Sequence, residues 1–122
     1  MKILIIDDED DIRQISRLAL GRVGGMDVVD AASGVSGLAL AIAEEPDVIL
    51  LDVMMPGRDG PETLSLLRAD PRTAHIPVIF LTAKAMASEV ERLRSLGAKG
   101  VLTKPFDPMS LAANVRAILG PG

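Results

Sequence analysis

Five strand-length apolar runs alternate with five helix-patterned segments along this chain, and that alternation restricts its fold more than any other feature. The first run is Lys2–Ile6. A helix over Asp11–Val23 follows, with Ile12, Ile15, Ala19 and Val23 spaced to share one face. Gly24-Gly25 ends it, and Met26–Ala31 reads as a weaker second strand. Ser33-Gly34 opens a helix over Val35–Glu44 that closes before Pro46. Asp47–Leu51 is apolar through its centre, as a strand covered on both faces should be. Met55-Pro56-Gly57-Arg58-Asp59-Gly60 is turn chemistry, and Pro61 fits the first turn of a helix reaching Arg68.

Pro77 enters the fourth strand, Val78–Thr82, where a missing donor does little harm. Ser88-Glu89-Val90-Glu91 matches a capping box, which predicts a helix through Leu96 with Gly97 as its C-terminal cap. Lys99–Thr103 is the fifth strand. Asp107-Pro108 offers an N-cap and a first-turn proline to a last helix, Met109–Leu119, closed by Gly120. Strict alternation of this kind predicts an α/β fold, a doubly wound parallel sheet with helices on both faces. The length of 122 residues suits one domain spanning residues 1–122.

Four of the runs end on residues suited to phosphate or metal chemistry: Asp7-Asp8, Asp52, Thr82 and Lys104. In a parallel sheet these emerge at the same carboxyl edge, where open α/β sheets bind their ligands. Two carboxylates ~5 Å apart repel by roughly 3 kcal/mol at an effective dielectric near 20. A cation has to offset that, and Mg²⁺ (or Mn²⁺) suits carboxylates, water and phosphate oxygens together. Lys104 is the natural counter-ion, a point charge able to approach a phosphoryl oxygen. The Thr82 hydroxyl can donate to the same group. Glu9, Asp10 and Asp11 read as decoration of a helix N-terminus, where negative charge is favoured.

Composition narrows the function further. Thirteen basic against seventeen acidic residues give a net charge of −4, with no Lys/Arg cluster, so direct nucleic-acid binding is not expected. Cysteine is absent, which removes disulfides and thiolate metal sites. No apolar stretch approaches the ~20 residues that span a bilayer, and the N-terminus lacks a signal-peptide pattern. A cytoplasmic protein without a membrane partner is expected.

Taken with their order and spacing, Ile5-Ile6-Asp7-Asp8-Glu9, Asp47 through Gly57, Ile76 through Ala83, Gly97-Ala98 and Leu102-Thr103-Lys104-Pro105-Phe106 carry a resemblance. The chain resembles the receiver domain of two-component response regulators over essentially its whole length. The resemblance implies a flavodoxin-like sheet of order 2-1-3-4-5 flanked by five helices. It implies that Asp52 accepts a phosphoryl group from the phosphohistidine of a sensor histidine kinase or a phosphotransfer protein. Asp8, Asp52 and the backbone carbonyl of Met54 would bind Mg²⁺ directly, and Asp7 through water. Thr82 and Lys104 would grip the phosphoryl oxygens, and the Lys104–Pro105 bond would be cis. The surface of the fourth helix, fifth strand and fifth helix would then change for a downstream protein target. On this reading the chain is a signalling domain and not an enzyme, catalysing at most its own phosphorylation and dephosphorylation.

Departures from the family pattern matter as well. Val101 stands where receiver domains usually carry an aromatic ring or histidine that turns inward with the threonine. The rotamer half of the switch is therefore missing or reduced. Met54 and Lys84 flank the expected path of hydrolytic water, and an apolar Met54 predicts a long-lived phosphoryl group. Lys99-Gly100 replaces the paired acids of dimeric subfamilies, which favours a monomer. His75 reads as a surface residue, Met54 and Met55 as loop packing, and Met86 as facing a partner. An alternative is a Mg²⁺-dependent phosphohydrolase with Asp52 as nucleophile, although Met54 stands where such enzymes carry a second aspartate. A flavin-binding module is disfavoured by the acidic first loop and the absence of Trp and Tyr.

Overall fold

The computed structural model describes residues 1–84 and 86–121. Five parallel strands, β1 (Lys2–Ile6), β2 (Asp27–Ala31), β3 (Val48–Asp52), β4 (Val78–Thr82) and β5 (Gly100–Thr103), form one sheet of order β2-β1-β3-β4-β5. The helices are α1 (Asp10–Arg17), α2 (Gly34–Glu44), α3 (Gly60–Ala69), α4 (Ala87–Ser95) and α5 (Leu111–Leu119). The architecture and the strand order are those anticipated from the sequence.

Successive strand residues point to opposite faces, and this sorts the aliphatic side chains into two cores. Leu4, Ile6, Ile49, Leu51, Val78 and Phe80 pack on one face with Leu64 and Leu67 of α3 and Leu93 of α4. Ile3, Ile5, Val48, Leu50, Ile79 and Leu81 pack on the other with Leu20 and with Leu111 and Val115 of α5. Burial on both sides is what allows β3 and β4 to be apolar up to their last residues.

Several local readings are corrected. After Arg17 the first helix widens into a π-helical segment, Leu18–Val23, in which the Gly24 N–H reaches the Ala19 carbonyl five residues back. Of the expected face, Ile15 and Val23 are exposed, whereas Ser16 and Leu20 are buried. Ser88 does not cap α4; the helix starts at Ala87, a strong helix former, with Met86 at the cap position. The capping box instead lies on α3, where Asp59 and Glu62 satisfy each other's backbone N–H groups. Asp107 caps a single turn, accepting from the Met109 N–H at 2.9 Å, and α5 begins only at Leu111. Strand three starts one residue later than read and includes Asp52, because Asp47 turns its carboxylate to the Lys2 N–H at 2.7 Å. No helix among the described residues is long and apolar enough to cross a membrane.

Candidate functional site

Ladder hydrogen bonds carry the chemistry-bearing residues to one edge. The Asp7 N–H donates to the Ala31 carbonyl at 3.1 Å, holding the residue after β1 against the end of β2. Asp52 is the last residue of β3 and Thr82 the last of β4. The Lys104 N–H donates to the Thr82 carbonyl at 2.7 Å, so the residue after β5 is tied directly to the end of β4. The Lys104–Pro105 peptide is cis, as anticipated.

The side chains converge above these ends. Asp7, Asp8, Glu9 and Asp52 each offer a carboxylate oxygen, and these oxygens all lie within 4.8 Å of one another. Asp7 and Asp52 are almost fully buried, whereas Asp8 and Glu9 face solvent. Lys104 Nζ stands 3.0 Å from Asp7 Oδ2, 3.3 Å from Asp52 Oδ1 and 3.6 Å from Glu9 Oε1. One ammonium thus serves three carboxylates. It lies close to Asp7 Oδ2 but outside hydrogen-bonding geometry, and Asp52 Oδ2 has no hydrogen-bond partner among the described residues.

That imbalance appears in the proton affinities. Burial pushes the Asp52 carboxyl up to about 7, and the neighbouring charge of Asp7 adds to the rise. The charge and hydrogen bond of Lys104, and the Met54 backbone, pull the other way without cancelling it. For Lys104, burial alone would lower the value, but the adjacent Asp7 and Asp52 carboxylates outweigh it and raise the group above an ordinary lysine. Two buried, unsatisfied carboxylate oxygens beside further acids form a donor set that fits a hard divalent cation.

Thr82 is buried, and its Oγ1 accepts the Lys84 N–H at 3.0 Å, which leaves its own proton free to donate. Val101 pairs with Phe80 across β4 and β5 and packs against the Phe80 core. The two methionines after Asp52 separate: Met55 is buried in the core, and Met54 is 67% exposed. His75 is exposed, in keeping with a surface residue, and Met86 is largely exposed. Glu9 does stand at the N-terminus of α1, as its N-cap, but it makes no cap hydrogen bond and turns its carboxylate toward Lys104. In the sequence Gly60 is simply the end of the Met55–Gly60 turn. A Cβ there would lie 2.5 Å from the Asp52 carbonyl oxygen, so only glycine lets α3 begin against the end of β3.

A groove of about 950 Å³ opens at the opposite edge, where the strands begin, between Pro77, Lys99 and Gly120.

The response regulator receiver domain model matches residues 3–116. The chain belongs to this family. Over 118 residues, 97% of the receiver chain, it is 43% identical to the DNA-binding dual master transcriptional regulator RpaA of Synechocystis sp., covering 48% of that protein. It is 39% identical over 123 residues to the phosphate regulon transcriptional regulatory protein PhoB of Pseudomonas aeruginosa, covering 98% of this chain and 53% of that one. The chain thus spans about half the length of these curated relatives. Among solved structures, the chemotaxis response regulator CheY4 of Vibrio cholerae superposes with a TM-score of 0.88 at 32% identity, covering 96% of this receiver and 97% of CheY4.

Proposed function

We propose that this receiver takes a phosphoryl group onto Asp52 from the phosphohistidine of a sensor histidine kinase or phosphotransfer protein. The observation that carries the reading is the Lys104 ammonium, 3.0–3.6 Å from three carboxylates, beside an Asp52 oxygen with no partner among the described residues. In the transfer an Asp52 carboxylate oxygen bonds to phosphorus as the P–N bond breaks, its electron pair returning to the imidazole. The product on this chain is an aspartyl phosphate. Lys104 turns from the carboxylates to a phosphoryl oxygen, and Thr82 donates its free proton to another. Asp8, Asp52 and the Met54 backbone carbonyl would hold Mg²⁺ or Mn²⁺, with Asp7 acting through water. When bound, the ion neutralises charge on the phosphoryl oxygens.

The phosphoryl contacts bias a two-state equilibrium through Thr82 and Lys104. The surface of α4, β5 and α5 changes with them and meets a downstream protein. Val101 has no ring to relocate, so the displacement of Thr82 and its loop carries the signal. The exposed, apolar Met54 offers nothing to orient water, which favours a slowly hydrolysed phosphoryl group.

The test compares wild type with Asp52→Asn, using acetyl phosphate and Mg²⁺ with intact mass as the readout. Wild type gains one phosphoryl group and the variant none. Equal gain by both overturns the assignment.

A further inference from the structure

We infer that Arg13 is a positioning residue for the acidic pair, fixing the peptide that joins Asp7 to Asp8 and so the direction in which Asp8 presents its carboxylate. The inference rests on the proposed reading of those acids as a metal mount. Arg13 Nη1 donates to the Asp7 carbonyl oxygen at 2.8 Å. A peptide plane is set by its carbonyl direction. The N–H of Asp7 is already held by Ala31, and its Oδ1 accepts the Glu9 N–H at 2.9 Å. With the carbonyl also held, every polar group of Asp7 except Oδ2 has a hydrogen-bond partner. The peptide to Asp8 then cannot rotate to relieve repulsion among the clustered acids.

The guanidinium is suited to this by its fork of donors. While Nη1 grips the loop, Nη2 bonds Asp10 and Nε lies 3.3 Å from Asp30 Oδ2. Arg17 shares the far oxygen of Asp30 at 2.9 Å. Arg13 and Arg17 together face Asp10 and Asp30, so the cluster is neutral as a whole. It therefore orients the loop without placing net positive charge beside a cation site. Asp10 thereby has a function that its place in the first turn of a helix did not reveal. A partner bonded to a ligand itself typically changes metal affinity 10–100-fold when lost; Arg13 bonds the backbone beside the ligand Asp8, so the lower end applies.

The experiment measures Mg²⁺ affinity by titration calorimetry for wild type, Arg13→Ala, Arg13→Lys and Arg17→Ala. Amide spectra of the metal-free proteins report the Asp8 N–H. Arg13→Ala is expected to bind Mg²⁺ about tenfold more weakly with a displaced Asp8 amide signal, and Arg13→Lys to fall between it and wild type. Arg17→Ala, which releases Asp30 but not the Asp7 carbonyl, keeps wild-type affinity. Wild-type affinity in both Arg13 variants overturns the inference, as does an equal loss in Arg17→Ala. If Arg13→Ala does not fold, Arg13→Lys decides. Wild type that takes up no Mg²⁺ instead ends the underlying reading, a result distinct from any difference among the variants.

Discussion

Burial at the end of β3 pushes the Asp52 carboxyl up to about 7, so the metal-free fold holds a proton there that the unfolded chain releases near 3.8. A raised acid stabilises the fold fully below its ordinary value, and that contribution is lost as pH rises through 7. The half-buried carboxylates Asp70 and Glu89 are held low by hydrogen bonds from Arg72 and Arg92, so they act only in the acid range below ordinary carboxylate values. Between about pH 5 and pH 7.5, chemical denaturation in chelator should therefore show wild-type stability falling by on the order of 2 kcal/mol. Asp52→Asn removes the titrating group and should flatten that slope. An identical slope in both proteins would place the proton uptake elsewhere.

Among the elements, β3 meets α3 closely beside the site, and Gly60 is the contact. Helix propensity alone predicts that Gly60→Ala gains about 1 kcal/mol. The added methyl would press on the Asp52 carbonyl and Val53 Cα at 2.5 and 2.8 Å, and overpacking of this kind costs about 1–3 kcal/mol. Sterics should win, so denaturant unfolding should show a net loss; a gain would mean that α3 shifts freely. The strand ends were legible because short continuous apolar runs, each closed by Asp, Thr or Lys, mark strands covered on both faces of a parallel sheet. Asp7, Asp52, Thr82 and Lys104 were found that way. Glu9, Arg13 and Gly60 were not, because their roles depend on the angle at which a helix meets a strand, which periodicity does not encode. The π-helical end of α1 was hidden for the same reason: the wider turn replaces one apolar stripe with another.

For the molecule as a whole, the aliphatic cores lie on the two faces of the sheet, and the unsatisfied carboxylate oxygens found among the described residues lie at one edge. That edge joins residues from β1, β3 and β5, since Lys104 bridges Asp7 and Asp52 from the far side of the sheet. A cation held among the acids would therefore stabilise three strands at once, and unfolding would release it. Linkage then requires stability to rise by about 1.4 kcal/mol for each tenfold excess of Mg²⁺ over its dissociation constant. For a domain of this size that corresponds to roughly 3–6 °C in Tm. Thermal scans at neutral pH should show Tm climbing with the logarithm of Mg²⁺ concentration in wild type and returning to baseline on chelation. In Asp52→Asn the baseline should start higher, because a buried repulsion is gone, and the climb should be shallower. A Tm indifferent to Mg²⁺ in wild type would mean that Lys104 alone balances the edge.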